Sequence, residues 1–308
     1  MIDDKNAIGW AKSRLDAALS QLAEVVLGKK EPLQLALCCL IARGHLLIED
    51  IPGVGKTMLA NALARVLGLS SRRIQFTSDM LPADIIGNSI FDKDHGEFVF
   101  HPGPLFTSVV LADEVNRASP KTQSALLEAM EERQVSVEGK THPLPNPFFV
   151  IATQNPNSQI GTFPLPESQL DRFLIRIELG YPNRDAERNL LAGPERRRVI
   201  EKLPVVIAPE EVLRLQQQVE QVFVSGPLRE YILDLLWRSR TQGTGLSPRA
   251  GLALQRAAQA WALLSGRGIA LPEDVQATAE SVMAHRLSPQ GDDGRAMAGR
   301  IIQAVPVT

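Results

Sequence analysis

The sequence predicts an α/β chain in which a parallel sheet, covered by helices on both faces, is followed by a smaller all-helical domain. Three observations carry that expectation. Short, uninterrupted apolar runs occur at residues 45–49, 74–77, 109–112, 148–152 and 173–179, several of them bounded by Gly, Pro, Asp or Asn. Strands that are apolar without alternation are buried on both faces, as in a parallel sheet lying between helices. Segments with helical spacing separate these runs, and strand signals stop after Tyr181-Pro182.

Each element has its own local reason. Leu15, Ala18, Leu19 and Leu22 repeat along one helix face, and a second apolar helical run covers residues 33–41 before Gly44. Between the first two strands, Leu59, Ala62, Leu63, Val66 and Leu67 form one stripe across residues 57–67. After the third strand, Ser119 is expected to cap a helix with Pro120 at its first position, leading into Leu126, Ala129 and Met130. Farther on, Leu228, Tyr231, Ile232, Leu235 and Leu236 mark one amphipathic helix. Leu254, Ala257, Ala258 and Trp261 mark another, and Val275, Ala279, Val282 and Met283 a third. The expected division is residues 1–182 for the α/β core and 183–308 for the helical domain, joined by a short Pro-containing link. The closing AVPVT is expected to fray.

Composition narrows the function classes. With 308 residues, 44% apolar and 22% charged, the chain can bury a sizeable core and is too apolar for disorder throughout. A formal charge of −2 gives no general attraction to nucleic acid or anionic membrane. Cys38 and Cys39 are neighbours in a helical run and point in different directions, so they read as buried thiols rather than a disulfide framework. The histidines (His45, His95, His101, His142 and His285) lack metal-ligand spacing, and no protein-bound zinc is expected. The N-terminal MIDDKNAIGW has no signal-peptide pattern, and no stretch approaches the ~20 apolar residues of a spanning helix, so a cytoplasmic location is expected.

The strongest local signal is Asp50-Ile51-Pro52-Gly53-Val54-Gly55-Lys56-Thr57, set between a strand and a helix, with Met58 following. Glycines let backbone amides turn inward around phosphate groups, and the helix presents its positive end. Lys56 is positioned to reach β- and γ-phosphates, and Thr57 to hold Mg²⁺ through its hydroxyl. An ordinary Gly-rich turn before a surface lysine is the competing reading, and the strand–loop–helix context disfavours it. Asp50 stands where the G-x-x-x-x-G-K-[ST] pattern has its first glycine, and the sequence does not say what that carboxylate does.

The third strand ends in Asp113-Glu114, at the carboxyl edge where ligands gather in open parallel sheets. Asp113 is expected in the Mg²⁺ shell and Glu114 beside the attacking water. Taken alone, such a pair reads better as solvated loop charges; the phosphate loop upstream changes that. The next strand ends in Thr153-Gln154-Asn155, where Asn155 either bonds the water or γ-phosphate or simply forms a turn before Pro156. Arg172, before the fifth strand, either completes a neighbour's site or pairs with Asp171. Ser247-Pro248-Arg249 opens a helix, and a cation there works against the macrodipole, which hints at a nearby anion; a routine surface arginine is the alternative. No Asn-Lys-x-Asp guanine signature occurs, so ATP is expected over GTP.

Together these segments resemble the MoxR family of AAA+ ATPases over nearly the whole chain. The resemblance is carried by ARGHLLIEDIPGVGKT, ADEVNRASPKTQSALLEAMEERQVSVEG, FFVIATQNP, PLPESQLDRF and SPRA. It implies that Lys56 and Thr57 belong to the Walker A motif and Asp113 and Glu114 to Walker B. Asn155 is similar to sensor 1, Arg172 to the arginine finger acting on the adjacent subunit, and Arg249 to sensor 2 acting within its own subunit. Val25-Val26-Leu27-Gly28 is similar to the family's loop near the adenine, so Val26 and Gly28 are expected at the base. The resemblance further implies a P-loop NTPase core with sheet order 5-1-4-3-2, a helical lid, ATP and Mg²⁺ as ligands, and a hexameric ring. Residues 86–104 resemble the clade's insert within the second core helix, with a hairpin turn at 92–96 between Phe91 and Phe98. Residues 133–142 resemble the hairpin before sensor 1, turning at Glu138-Gly139-Lys140. Chaperone-like maturation of protein complexes, beside a von Willebrand factor A domain partner, is the implied role. A magnesium-chelatase-like motor subunit and a non-hydrolysing nucleotide-switched scaffold are the alternatives; a DNA motor is disfavoured because no helix-turn-helix or basic tail is visible.

Overall fold

The computed structural model describes residues 2–155, 161–241, 245–288 and 293–307. The chain opens with helices α1 (Ile2–Val25) and α2 (Lys30–Ile41), then β1 (Leu46–Glu49), α3 (Lys56–Val66), β2 (Ser71–Gln75) and the short α4 (Pro82–Ile86). A hairpin of β3 (Gly87–Asp92) and β4 (Glu97–Pro102) precedes β5 (Val109–Asp113) and α5 (Pro120–Glu132). A second hairpin, β6 (Gln134–Val137) and β7 (Lys140–Pro143), leads to β8 (Phe149–Gln154), α6 (Glu167–Leu170) and β9 (Ile175–Ile177). Helices follow to the end: α7 (Arg184–Ala192), α8 (Arg196–Lys202), α9 (Pro209–Gln221), α10 (Gly226–Arg240), α11 (Pro248–Leu264), α12 (Pro272–Leu287) and α13 (Asp293–Ala304).

The five-stranded sheet runs β2-β5-β8-β1-β9, with every pairing parallel. Numbering the core strands one to five, this is the expected order 5-1-4-3-2. Alternate residues feed two apolar cores. Leu46 and Ile48 of β1 face one, with Leu111 and Ile151; Leu47 faces the other, with Val110, Ala112, Val150 and α5. Strand β2 starts at Ser71 rather than at residue 74, because on this edge strand only Ile74 is buried and an apolar run underestimates its length. Strand β9 is shorter than its apolar run. Phe173, Leu174 and Leu179 are buried outside the ladder.

Both hairpins form. In the first, Phe91 pairs with Phe98 across the ladder, their rings 5.3 Å apart. It follows the last residue of α4 directly, at Gly87 (φ 97°), where a Cβ would lie 2.3 Å from the His101 carbonyl oxygen. The second turns through Glu138 (φ 50°) and Gly139 (φ 77°), the two positive values of a type I′ hairpin. Stacking of Phe100 on His142, at 3.9 Å, joins one hairpin to the other.

The helical region is less separate than its sequence suggests. One apolar cluster runs from Leu15 and Leu37 through Ile48 and Leu63 into Leu235, Leu254 and Val282. Polar bonds reinforce it: buried Arg286 of α12 binds Asp171 Oδ1 at 2.6 Å and the Phe173 carbonyl at 2.7 Å, while the Ser247 hydroxyl donates to Asp171 Oδ2 at 3.2 Å. The C-terminal segment is more anchored than a fraying tail, since α13 reaches Ala304 and Val305 is buried; Thr308 lies outside the described residues. Cys38 and Cys39 are fully buried, and burial raises both thiols far above their ordinary range. Among the described residues no helix is long and apolar enough to cross a membrane.

Two buried histidines tie sheet to surroundings while staying neutral. His45 accepts the Val150 N–H at Nδ1 (3.0 Å) and lies 3.1 Å from the Met130 carbonyl through Nε2, and burial lowers its pKa to about 4. His285 lies 3.0 Å from the Phe173 carbonyl, and burial, helped by the Arg286 charge, depresses it well below the usual range. The unfolded chain protonates both near pH 6.5, so it binds more protons than the native state below that pH. Stability should therefore fall as pH drops from about 6.5, the His45 share amounting to roughly 3 kcal/mol and levelling off near pH 4. Urea unfolding from pH 7 to 4 measures this slope, which should be shallower in His45→Gln; an equal slope counts against the assignment.

Candidate active site

Parallel register brings three strand ends to one level. Glu49 of β1 pairs with Gln154 of β8, and Ala112 of β5 with Ala152. The loop after β1 therefore opens beside the ends of β5 and β8. Gly53 (φ 86°) and Gly55 (φ 101°) occupy left-handed backbone, while a Cβ at either would meet nothing; conformation rather than space requires glycine here. Helix α3 starts at Lys56, so its first amides face the loop. Half-buried Lys56 donates to the Asp50 carbonyl at 2.6 Å. Burial lowers its pKa, and the negative charges of Asp50, Asp113 and Glu114 act against that fall.

Asp113 is buried and doubly held: the Thr153 hydroxyl donates to Oδ1 at 2.6 Å, and Arg73 of β2 donates to Oδ2 at 2.6 and 3.0 Å. The same Thr153 oxygen accepts the Glu114 N–H at 2.9 Å. Glu114 sits in left-handed backbone (φ 57°), a conformation uncommon outside glycine and concentrated at functional sites. Its carboxylate pairs with Arg117 at 2.8 Å. Asn155 directly follows β8 at this edge and is partly buried; Pro156 lies outside the described residues. Thr57 and Met58 line an adjoining cleft with Asn61 and Ser71. Sequence reasoning missed Arg73 and Thr153, and the i, i+2 spacing of Arg73 and Gln75 on the edge strand was the available signal for the first.

Asp50, the departure from the glycine pattern, is structural and buried at 7% exposure. Its Oδ2 accepts the amides of Leu179 (2.6 Å) and Gly180 (2.7 Å), and its Oδ1 the amide of Ile51 (2.8 Å). Val26 is buried where α1 ends, and Gly28 (φ 73°) lies against Asn183 and Ala186, where a Cβ would come within 3.2 Å of Ala186. Lys29 donates to the Tyr181 carbonyl at 2.6 Å. Phosphate loop and Val26–Gly28 loop thus meet the same segment, residues 179–186.

Arg172 and Arg249 are elsewhere. Both bind Glu131 at the end of α5, Arg249 through Oε1 at 2.6 Å and Arg172 through Oε2 at 3.0 Å. The recess there is lined by Gly44 and His45, which precede β1, whereas the phosphate loop follows it. Leu174 confirms the level by donating to the His45 carbonyl at 2.9 Å. The length of β1, about 13 Å at ~3.3 Å per residue, separates this edge from Lys56. Within this single chain Arg249, at the start of α11, meets Glu131 rather than Lys56. Asp171 pairs with Arg286, so the adjacent Asp171–Arg172 pair does not form either.

Known proteins share this architecture. The profile of the ATPase family associated with various cellular activities (AAA) matches residues 45–175, and that of the AAA lid domain matches residues 238–305. The chain is 46% identical to YeaC of Bacillus subtilis over 302 residues, covering 95% of this chain and 94% of that protein. It is 38% identical to Chaperone MoxR1 of Mycobacterium tuberculosis across 89% of this chain and 75% of the relative. Identity to the MoxR protein of Methylorubrum extorquens is 33%, across 87% and 85% of the two chains. A crystal structure of a candidate ATPase from Cytophaga hutchinsonii is similar with a TM-score of 0.87 and 34% identity, covering 98% of this chain and 97% of that one. Likeness of this extent, spread over core and lid alike, means that the chain belongs to the MoxR family of AAA+ ATPases.

Proposed function

We propose that the chain hydrolyses ATP as one subunit of a ring, holding nucleotide at the phosphate-loop edge and offering its arginine edge to the adjacent subunit's nucleotide. One observation carries this reading: Arg172 and Arg249 stand together on Glu131, a full strand length from Lys56. Loop and carboxylates lie on one side of the sheet, and the guanidiniums that phosphoryl transfer rewards lie on the other. Two copies in head-to-tail contact complete one site.

In this reading the amides from Gly53 to Thr57 and the positive end of α3 bind the phosphates, with Pro52 shaping the turn and Lys56 spanning the β- and γ-groups. Val26, Gly28 and Met58 wall the nucleoside. Glu114 orients the attacking water and draws on its proton as oxygen bonds to the γ-phosphorus and the bond to the β–γ bridging oxygen breaks, leaving ADP and phosphate. Asn155 steadies the water or the γ-phosphate, and Arg172 and Arg249 of the next subunit neutralise charge building on the transferred group. The Thr57 hydroxyl and the Asp113 carboxylate, whose charge acts on Lys56, are hard oxygen donors that would hold Mg²⁺, which would supply charge neutralisation for the phosphate oxygens. Residues 1–182 then form the motor core and 183–308 the lid. A hexamer, remodelling of protein complexes and a von Willebrand factor A domain partner complete the proposal; the mycobacterial relative bears the name Chaperone MoxR1.

Glu114→Gln should keep nucleotide binding and lose turnover by roughly 10²–10⁴-fold, read by fluorescent-nucleotide titration beside a phosphate-release assay. Wild-type turnover in that variant removes Glu114 from the mechanism. Arg172→Ala should lower turnover by roughly 10³–10⁵-fold. Mixing Arg172→Ala with Lys56→Ala subunits should restore part of the activity, because one intact site can form between unlike copies. Arg249→Ala should be rescued by the same partner, and failure at every mixing ratio returns Arg249 to its own subunit.

A further inference from the structure

Every polar group of Asp50 is committed, and each to a different part of the molecule. Its N–H donates to the Gln154 carbonyl at 3.1 Å, at the end of β8. Its carbonyl accepts Lys56 Nζ at 2.6 Å. One carboxylate oxygen braces the next loop amide, and the other takes two consecutive amides, Leu179 and Gly180, just beyond β9. Gly180 is in left-handed backbone (φ 61°), so the chain turns immediately after the two amides that share this acceptor. Hydrogen bonds to a buried carboxylate are the strong kind, and the low local dielectric strengthens them further. A glycine, the pattern residue at this position, has no side chain with which to make three of these bonds.

The chain leaving Gly180 is where other contacts gather. Lys29 holds the Tyr181 carbonyl, Asn183 caps α7 by accepting the Ala186 N–H at 2.8 Å, and Gly28 lies against both Asn183 and Ala186. A phosphate taken up by Lys56 competes with the Asp50 carbonyl for the same ammonium. Any shift of residue 50 that follows is passed to residues 179–180 by a rigid side chain with only two rotatable bonds.

We propose that Asp50 is a positioning residue that couples phosphate occupancy of the loop to the order of residues 179–186, the segment leading from the sheet to α7. The inference rests on the reading that the amides of residues 53–57 hold nucleotide phosphates. It assigns the carboxylate a task separate from binding, since all three of its hydrogen bonds go to backbone amides.

Hydrogen–deuterium exchange of the peptide spanning residues 179–186, with and without Mg·ADP, tests this in full-length protein. In the wild type, Mg·ADP should change exchange across that peptide by at least about threefold, and fluorescent-ADP titration reports binding independently. In Asp50→Gly the Leu179 and Gly180 amides should exchange about tenfold faster or more, since charge-assisted bonds are lost. Their exchange should no longer respond to Mg·ADP, although that variant still binds it. Asp50→Asn keeps the volume but sets an amide N–H₂ among N–H donors; it should give the same insensitivity, and it serves if the glycine variant does not fold. Asp50→Glu should recover part of the response. A nucleotide response at 179–186 that survives in Asp50→Gly or Asp50→Asn overturns the coupling, as does a wild type that binds Mg·ADP with no change in that peptide. A wild type that binds no nucleotide defeats the ATPase reading itself, which the titration separates from the first two results.

Discussion

Parallel pairing of β1, β8 and β5 is the constraint on which the rest of this molecule depends. The three strands are buried on both faces, so neither register nor depth can slip without exposing a whole apolar layer. Their carboxyl ends consequently finish level, and a lysine, two carboxylates and an asparagine are delivered to one edge by backbone alone. Thr153 then fixes the details. Its single hydroxyl donates to Asp113 and accepts from the Glu114 amide, which stabilises the left-handed turn that Glu114 must adopt. A hydrophobic lattice sets position to within a residue, and one fully buried oxygen sets orientation.

The lid is bound to its own core by a different chemistry. Arg286 is almost fully enclosed, and enclosure lowers its pKa, yet the Asp171 carboxylate and the main-chain carbonyls of Asp171, Phe173, Leu174 and Val282 supply the acceptors that keep a guanidinium tolerable there. Together with the continuous apolar cluster from α1 to α12, this makes core and lid one packed body at the edge before β1. At the opposite edge only Leu179 and Ala186 of residues 179–186 are buried, and a few directed hydrogen bonds hold the rest. Local opening is cheapest where apolar contacts are few, so any conformational response has its natural seat there.

How much of this the sequence discloses follows from which forces are local. The central strands are legible because burial on both faces writes them as apolar runs, and Ser119 caps α5 by the rule its side chain obeys everywhere. Strand β2 is only half legible, since an edge position frees Ser71, Arg72 and Arg73 from any apolar requirement. Helices α7, α8 and α13 leave faint traces because they bury few residues; α8 buries none. The loop of residues 50–57 and the Asp113-Glu114 pair lie within short motifs, and strand register brings those segments to one edge. The location of Arg249 was not legible, for it depends on how α11 packs against α2 and α1, which no local pattern encodes. Asp50 looked like a blemish in a glycine motif for the same reason: its partners are 129 and 130 residues away.

Glu131 carries a consequence for how copies of this chain meet. One carboxylate already pairs with both guanidiniums and offsets one of their two charges, so docking against a neighbour that offers no anion gains little from Arg172 or Arg249. A neighbour presenting a triphosphate offers several charges against one, and the arginines then have reason to change partner. On the proposed ring, grip between adjacent copies would then depend on what the neighbour holds, with Glu131 setting the threshold.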